Sequence, residues 1–353
     1  MDWIESLILG AVQGVTEFLP ISSDGHLTVV QMAFARMSGH GRSAEENLFF
    51  DVMLHLGTLA AIVIYFRAVV KTGARGLLGS NEVPPEYRRP SVVRTGLLAC
   101  VATLPLVPLK LFLMDWIKAA FNSQTATGIG FLITAAVLLL TLRLRGGEKG
   151  PRETTWLDAL LIGIAQMFAP LPGVSRSGLT IAAALGLGLS RSWAVGFSLL
   201  IAVPAILGAA VSEFKDLDPH TLTSDRIAQT VTATILAGIV GYGAIIWLVK
   251  IVRSGRLWYF SVYLIVLATV LLMAVAVSGG SPDGRHATAL ERPLRGGGSG
   301  SGLERGPRRD GFRSLGRPLA ARSRAGDARP GDGTERGARA SGLVLAGPLA
   351  SGR

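Results

Sequence analysis

One short stretch, QGVTEFLPISSDGHL at residues 13–27, brings together an amide, two acids, three hydroxyls and an imidazole. Gln13 and Glu17 stand at i and i+4, so a helix presents them on one face. Both offer oxygen, the donor that a hard divalent cation such as Mg²⁺ or Ca²⁺ takes. Ser22, Ser23 and His26 follow a turn that begins at Pro20, and Gly25 lets the backbone close on a ligand. Successive N–H groups at such a helix start cradle an anion. His26, across the break from Glu17, is a candidate acid/base or nucleophile. The plainer alternatives are a solvated Glu17 in the headgroup region, an ordinary serine cap and a packed histidine.

A second stretch, QMFAPLPGVSRSGLT at residues 166–180, supplies the opposite charge. Arg176 is flanked by Ser175, Ser177 and Thr180, with Gly173 and Gly178 beside them. A guanidinium fork matches phosphate oxygens bidentately, and hydroxyls and turn amides complete such a grip. The plainer reading of Arg176 is a structural ion pair with an acid. The two stretches are copies at a constant offset: Trp3 over Trp156, Leu7 over Leu160, Gly10 over Gly163, Gln13 over Gln166, Ser22 over Ser175 and Gly25 over Gly178. An internal repeat sets the whole fold, and the copies read as halves of one site. Asp24, Asp51 and His55 are candidates for its surroundings.

The elements that must position these residues are membrane helices. The chain is 49% hydrophobic with a mean hydropathy of +0.45, and several apolar runs are long enough to cross a bilayer. A helix over 1–19 breaks at Pro20 and a second runs over 24–34. Spans are expected at 49–66, 92–114 and 124–142. A second broken pair covers 156–170 and 177–189, followed by spans at 194–211, 227–249 and 257–277. The expectation is an all-α polytopic membrane protein built from an inverted repeat, each copy a re-entrant helix hairpin plus three spans. Three crossings separate the hairpins, an odd number, so the copies point opposite ways and their broken helices meet near the midplane. Repeat one covers about 1–145 and repeat two about 154–278, within a membrane domain over 1–281.

Residues 282–353 form an Arg-, Gly- and Pro-rich tail with hardly any aromatics, expected to be disordered. It holds 14 Arg and 7 acidic residues, and so carries +7 of the formal +11. The basic balance therefore describes the tail, and no nucleic-acid partner is expected. The basic loops 67–94, 143–153, 191 and 250–256 fall on one face, which the positive-inside rule makes cytoplasmic. Glu17 and His26 are then reached from the outer side. The acidic N-terminus is unlike a cleavable signal, and the single Cys100 can form no intrachain disulfide.

With these residues in view, the chain resembles the undecaprenyl-diphosphate phosphatase family, also called the bacitracin-resistance protein family. QGVTEFLPISSDGHL is similar to its E/Q-x-x-x-E-F-L-P-x-S-S-x-G-H signature, and PGVSRSGLT to its P-G-x-S-R-S-x-x-T signature. The resemblance implies an enzyme of the bacterial plasma membrane that removes the terminal phosphate of undecaprenyl diphosphate, a polyprenyl diphosphate lipid, recycling the lipid carrier for peptidoglycan and other envelope polymers. It implies a divalent cation, Mg²⁺ or Ca²⁺, held by Glu17 and Gln13, with membrane lipid around the chain; a homo-oligomer is compatible with it. Glu17, Ser23, His26 and Arg176 are the expected catalytic residues, and Ser22, Gly173, Ser175, Arg176, Ser177 and Thr180 the expected phosphate contacts. Three routes stay open: attack by Ser23, attack by His26, or water activated by His26. Gln13 stands where many members carry Glu, and Asp24 where Ser or Thr is usual. A competing class is a lipid-carrier transporter, which uses the same inverted-repeat architecture. Deleting the residues after Ser281 is expected to leave phosphate release in a detergent assay unchanged; a large loss would give the tail a function.

Overall fold

A computed structural model describes residues 3–38, 44–80, 82–121, 123–213 and 223–277. The tail expected over 282–353 lies outside the described residues. In chain order the helices are α1 (Trp3–Phe18), α2 (Ser23–Ser38), α3 (Ala44–Tyr65), α4 (Arg67–Leu77), α5 (Arg89–Thr103), α6 (Leu106–Phe121), α7 (Gln124–Leu140), α8 (Trp156–Met167), α9 (Arg176–Gly186), α10 (Arg191–Glu213), α11 (Ser224–Ser254) and α12 (Tyr259–Val277). No strand forms among the described residues. The protein is therefore all-α, as its hydropathy pattern requires.

Four stretches are long and apolar enough to cross a bilayer: Arg89–Leu113, Arg191–Val211, Ser224–Ser254 and Tyr259–Val277. Phe49–Tyr65 with Arg67–Leu77 makes a fifth if the pair is one span, but it bends by 72° between them. The 17-residue α7 is shorter, about 26 Å at 1.5 Å per residue. Two features depart from the expected elements. Residues 67–77 are helical rather than loop, because Arg67, Lys71 and Arg75 recur every fourth residue and give the segment one basic face. The run expected as one helix over 92–114 is interrupted after Thr103. Pro105 has no N–H to donate, and its ring opposes continuation of the turn before it.

The two copies interlock. α1 of the first lies on α11 of the second, where a Cβ added to Gly10 would fall 2.6 Å from the carbonyl oxygen of Ala233. α8 of the second lies on α5 of the first, and a Cβ on Gly163 would fall 2.5 Å from that of Ala102. Small residues let helix backbones approach this closely, which is how helices associate where water supplies no hydrophobic drive. α3 packs on α11 and α7 on α12, so each copy completes the other's core.

The basic segments converge as well. Arg94 donates to the carbonyls of Pro151 and Thr154, Arg152 sits 3.8 Å from Glu86, Ser190 N–H donates to Lys149 O, and Arg191 donates to Arg253 O. Lys149 also pairs with Asp158 at 3.1 Å. The connectors read as one basic face are thus tied to one another.

Gly10→Ala and Gly163→Ala are each expected to destabilise the protein by about 1–3 kcal/mol through overpacking. The check is the thermal unfolding midpoint in detergent, and an unchanged midpoint for both would contradict the close helix contacts.

Candidate active site

Each broken pair is made by the same local chemistry. α1 stops at Phe18, before Pro20, and α8 stops at Met167, before Pro170 and Pro172. The chain then reverses through a left-handed residue, Ser22 at φ 71° in the first copy and Gly173 at φ 82° in the second. A serine in that region costs roughly 1–2 kcal/mol, which the surroundings must hold. A serine caps the next helix in both copies: Ser22 Oγ accepts from Gly25 N–H at 3.3 Å, and Ser175 Oγ from Gly178 N–H at 3.1 Å. Ser23 and Arg176 therefore occupy equivalent first positions of α2 and α9.

The two turns meet, and they meet reciprocally. A Cβ on Gly25 would lie 2.9 Å from Gly173 Cα and 2.7 Å from the Phe131 ring, while one on Gly178 would lie 3.4 Å from Pro20 Cβ. The repeat offset carries Gly25 to Gly178 and Pro20 to Gly173, so each contact is the image of the other. Such pairing is what a two-fold axis between two equivalent units produces.

At this junction Glu17, only 5% exposed, forms an ion pair with Arg176 through Oε1. Its Oε2 accepts from Ser23 Oγ at 2.8 Å and from Gln13 Nε2 at 3.0 Å. His55 Nε2 stands 3.6 Å from Glu17 and 3.8 Å from Asp24 Oδ1. His55 Nδ1 donates to Asp51 O at 2.7 Å, and Asp51 Oδ1 accepts from Gln31 at 3.1 Å. The carboxylate is thus fully solvated by protein, which a charge removed from water requires. Of the expected residues, Gln13, Glu17, Ser23, Asp24, His55 and Arg176 come together here, with Asp51 behind His55.

The remaining expected residues take other places. His26 Nδ1 lies 2.7 Å from Ser22 O, and its Nε2 lies 2.7 Å from the Tyr263 hydroxyl. Ser175 N–H donates to Thr134 Oγ1 at 2.9 Å, and Thr134 donates to Gly173 O at 3.0 Å. Ser177 Oγ donates to Leu19 O at 3.2 Å, tying α9 to the opposite turn. Thr180, fully buried, bonds to Arg176 O at 2.8 Å and to Ser198 Oγ at 2.6 Å. The hydroxyls expected to touch phosphate are therefore engaged in the frame that carries Arg176. Sequence reasoning missed Thr134, Ser198, Phe131 and Tyr263. Each is a single polar or aromatic residue in an apolar run, and spacing alone gives it no partner.

A divalent cation can be tested against these donors. No group of three or more His, Cys, Asp and Glu able to hold a metal occurs among the described residues. Gln13 Oε1, however, is buried without a hydrogen-bond partner beside Glu17. One carboxylate plus one orphaned amide oxygen fits Mg²⁺ of the kind completed by substrate phosphates, which takes one or two protein carboxylates rather than a closed cage. Gln166 also leaves its oxygen without a partner, but Pro170 stands where the acid would be, so the second copy offers no such pair.

This arrangement makes Arg176 a stability residue as well as a candidate for chemistry. Arg176→Ala leaves a buried carboxylate unpaired and is expected to destabilise by about 3–5 kcal/mol, while Arg176→Ala combined with Glu17→Gln recovers much of that loss. Denaturation in detergent reads the difference, and additive losses would mean that the pair is not coupled.

Comparison with known proteins gives the family. Residues 6–270 match the family model described as Bacitracin resistance protein BacA. A protein of Carboxydothermus hydrogenoformans named undecaprenyl-diphosphatase is 37% identical, over 78% of this chain and 98% of its own. One of Desulfosudis oleivorans with the same name is 39% identical, over 77% and 98%, and one of Nocardioides sp. is 35% identical, over 78% and 97%. With residues 6–270 matched by that family model and relatives covered over nearly their whole length, the chain belongs to the bacitracin resistance protein BacA family.

Proposed function

We propose that this multi-pass membrane enzyme hydrolyses undecaprenyl diphosphate to undecaprenyl phosphate and inorganic phosphate. The observation that carries the mechanism is the 2.8 Å hydrogen bond from Ser23 Oγ to Glu17, a nucleophile and base already in contact. Arg176 sits on the same carboxylate, so an arriving diphosphate competes for its guanidinium with a group of like charge. Glu17 then holds the place of a phosphate until substrate binds, and Arg176 turns its fork to the terminal phosphoryl group.

Ser23 Oγ attacks the terminal phosphorus and its proton passes to Glu17. The bond from phosphorus to the bridging oxygen breaks, and the prenyl monophosphate leaves with that oxygen. Ser23 and His26, at i and i+3, are neighbours on α2. His26 takes a proton from water as its oxygen bonds to the phosphoserine phosphorus. The Oγ–phosphorus bond breaks, Ser23 regains the proton held by Glu17, and His26 releases its own to the aqueous side. Glu17 and Gln13 Oε1 would hold a Mg²⁺ or Ca²⁺ ion, which would supply neutralisation of charge that develops on the transferred group. In this reading the chain crosses the bacterial plasma membrane six times, its two hairpins are re-entrant, the basic face is cytoplasmic and the site opens outward.

The test is phosphate release from a C55 prenyl diphosphate by the full chain, with and without chelator. Release is expected, with chelator abolishing it and Ser23→Ala lowering it on the order of a thousandfold. Near-normal release by Ser23→Ala would overturn the nucleophile, and lipid transfer across vesicles without phosphate release would identify a transporter instead.

A further inference from the structure

His26 is held from two sides, and the second holder lies far away in sequence. Its Nδ1 is 2.7 Å from Ser22 O. A carbonyl oxygen only accepts, so Nδ1 carries the hydrogen and the neutral ring presents an unprotonated Nε2. The Tyr263 hydroxyl, 2.7 Å from Nε2, is then the donor. The phenol ring also stacks on the imidazole, with centroids 5.7 Å apart and planes at 14°, while Phe131 meets it edge-on at 5.2 Å. One face, one edge and both nitrogens of His26 are thereby set.

Tyr263 belongs to α12, a mostly apolar helix of 19 residues, many of them exposed. The Tyr263 hydroxyl is a polar group on a strongly apolar helix, and such a group calls for a partner. We propose that Tyr263 relays the proton from the attacking water to His26: as the hydroxyl's own hydrogen passes to Nε2, the phenol oxygen takes the water's proton, and the stacked ring keeps the relay in line. Through it the last helix of the second copy controls a proton transfer on the first copy's turn. The inference rests on the reading of His26 as the base given above. A ring released from this stack loses the aim of its lone pair, and misplacement of a reacting group by about 1 Å can cost a hundredfold in rate.

The experiment is a double-mutant cycle on the full chain, with phosphate release from C55 prenyl diphosphate as the readout. Tyr263→Phe keeps the stacked ring and removes the hydroxyl; Tyr263→Leu removes both. Tyr263→Phe is expected to lower kcat on the order of tenfold with KM within about twofold, and Tyr263→Leu on the order of a hundredfold. In a His26→Ala background neither change should reduce the rate further, because the residue through which they act is gone. An equal loss in both backgrounds, or Tyr263→Phe at the normal rate, overturns the proposal. His26→Ala at the normal rate overturns the reading of His26 itself, a separate and distinguishable result. Histidine ¹⁵N NMR of Tyr263→Phe gives a check independent of turnover: the Nε2 signal should shift while Nδ1 stays protonated, and an unchanged Nε2 signal counts against the contact.

Discussion

A carboxylate from one copy and a guanidinium from the other, buried together where the copies meet, set the terms for the rest of the molecule. Neither charge can be left alone at that depth, since an isolated buried ion costs several kcal/mol. Glu17 is satisfied only because Arg176, Ser23 and Gln13 converge on it, and they converge only because two chain reversals touch. The left-handed Ser22 and Gly173, the serine caps and the glycines that admit the opposing turn all serve that convergence. The same pair keeps a cation aimed at an anion's place.

The helical frame explains how such a junction survives in a membrane. Lipid offers little drive for helices to associate, so they must pack closely. Gly10 against Ala233 and Gly163 against Ala102 do this at equivalent places of the two copies. Because α1 lies on α11 and α8 on α5, neither copy holds a complete core by itself. The site and the fold are therefore one construction, and loss of charge pairing loosens both.

Much of this was legible in the residues, for definite reasons. The constant offset between two polar turns exposed the repeat, and Pro and Gly marked where the helices break. Ionisable residues in apolar surroundings stand out because membranes penalise them, so Glu17, His26 and Arg176 were visible as candidates, though not which of them would touch. Less legible were the helix over residues 67–77 and the break before Pro105, where charge spacing and one proline compete with a general apolar trend. The hydroxyls of Ser175, Ser177 and Thr180 were read as phosphate contacts by type. Their hydrogen bonds to Gly178, Leu19, Arg176 and Ser198 are ones that only packing could reveal.

The sequence by itself determined that the chain is helical and membrane-spanning, that it is a repeat, and which ionisable residues stand in its two polar turns. Hydropathy, offset and residue type are local properties and survive without coordinates. Only the tertiary structure decided that Arg176 rests on Glu17, that Ser23 donates to the same carboxylate, and that Tyr263 takes the free nitrogen of His26. Those are contacts between helices far apart in the chain, and their existence depends on how closely small residues allow the backbones to approach.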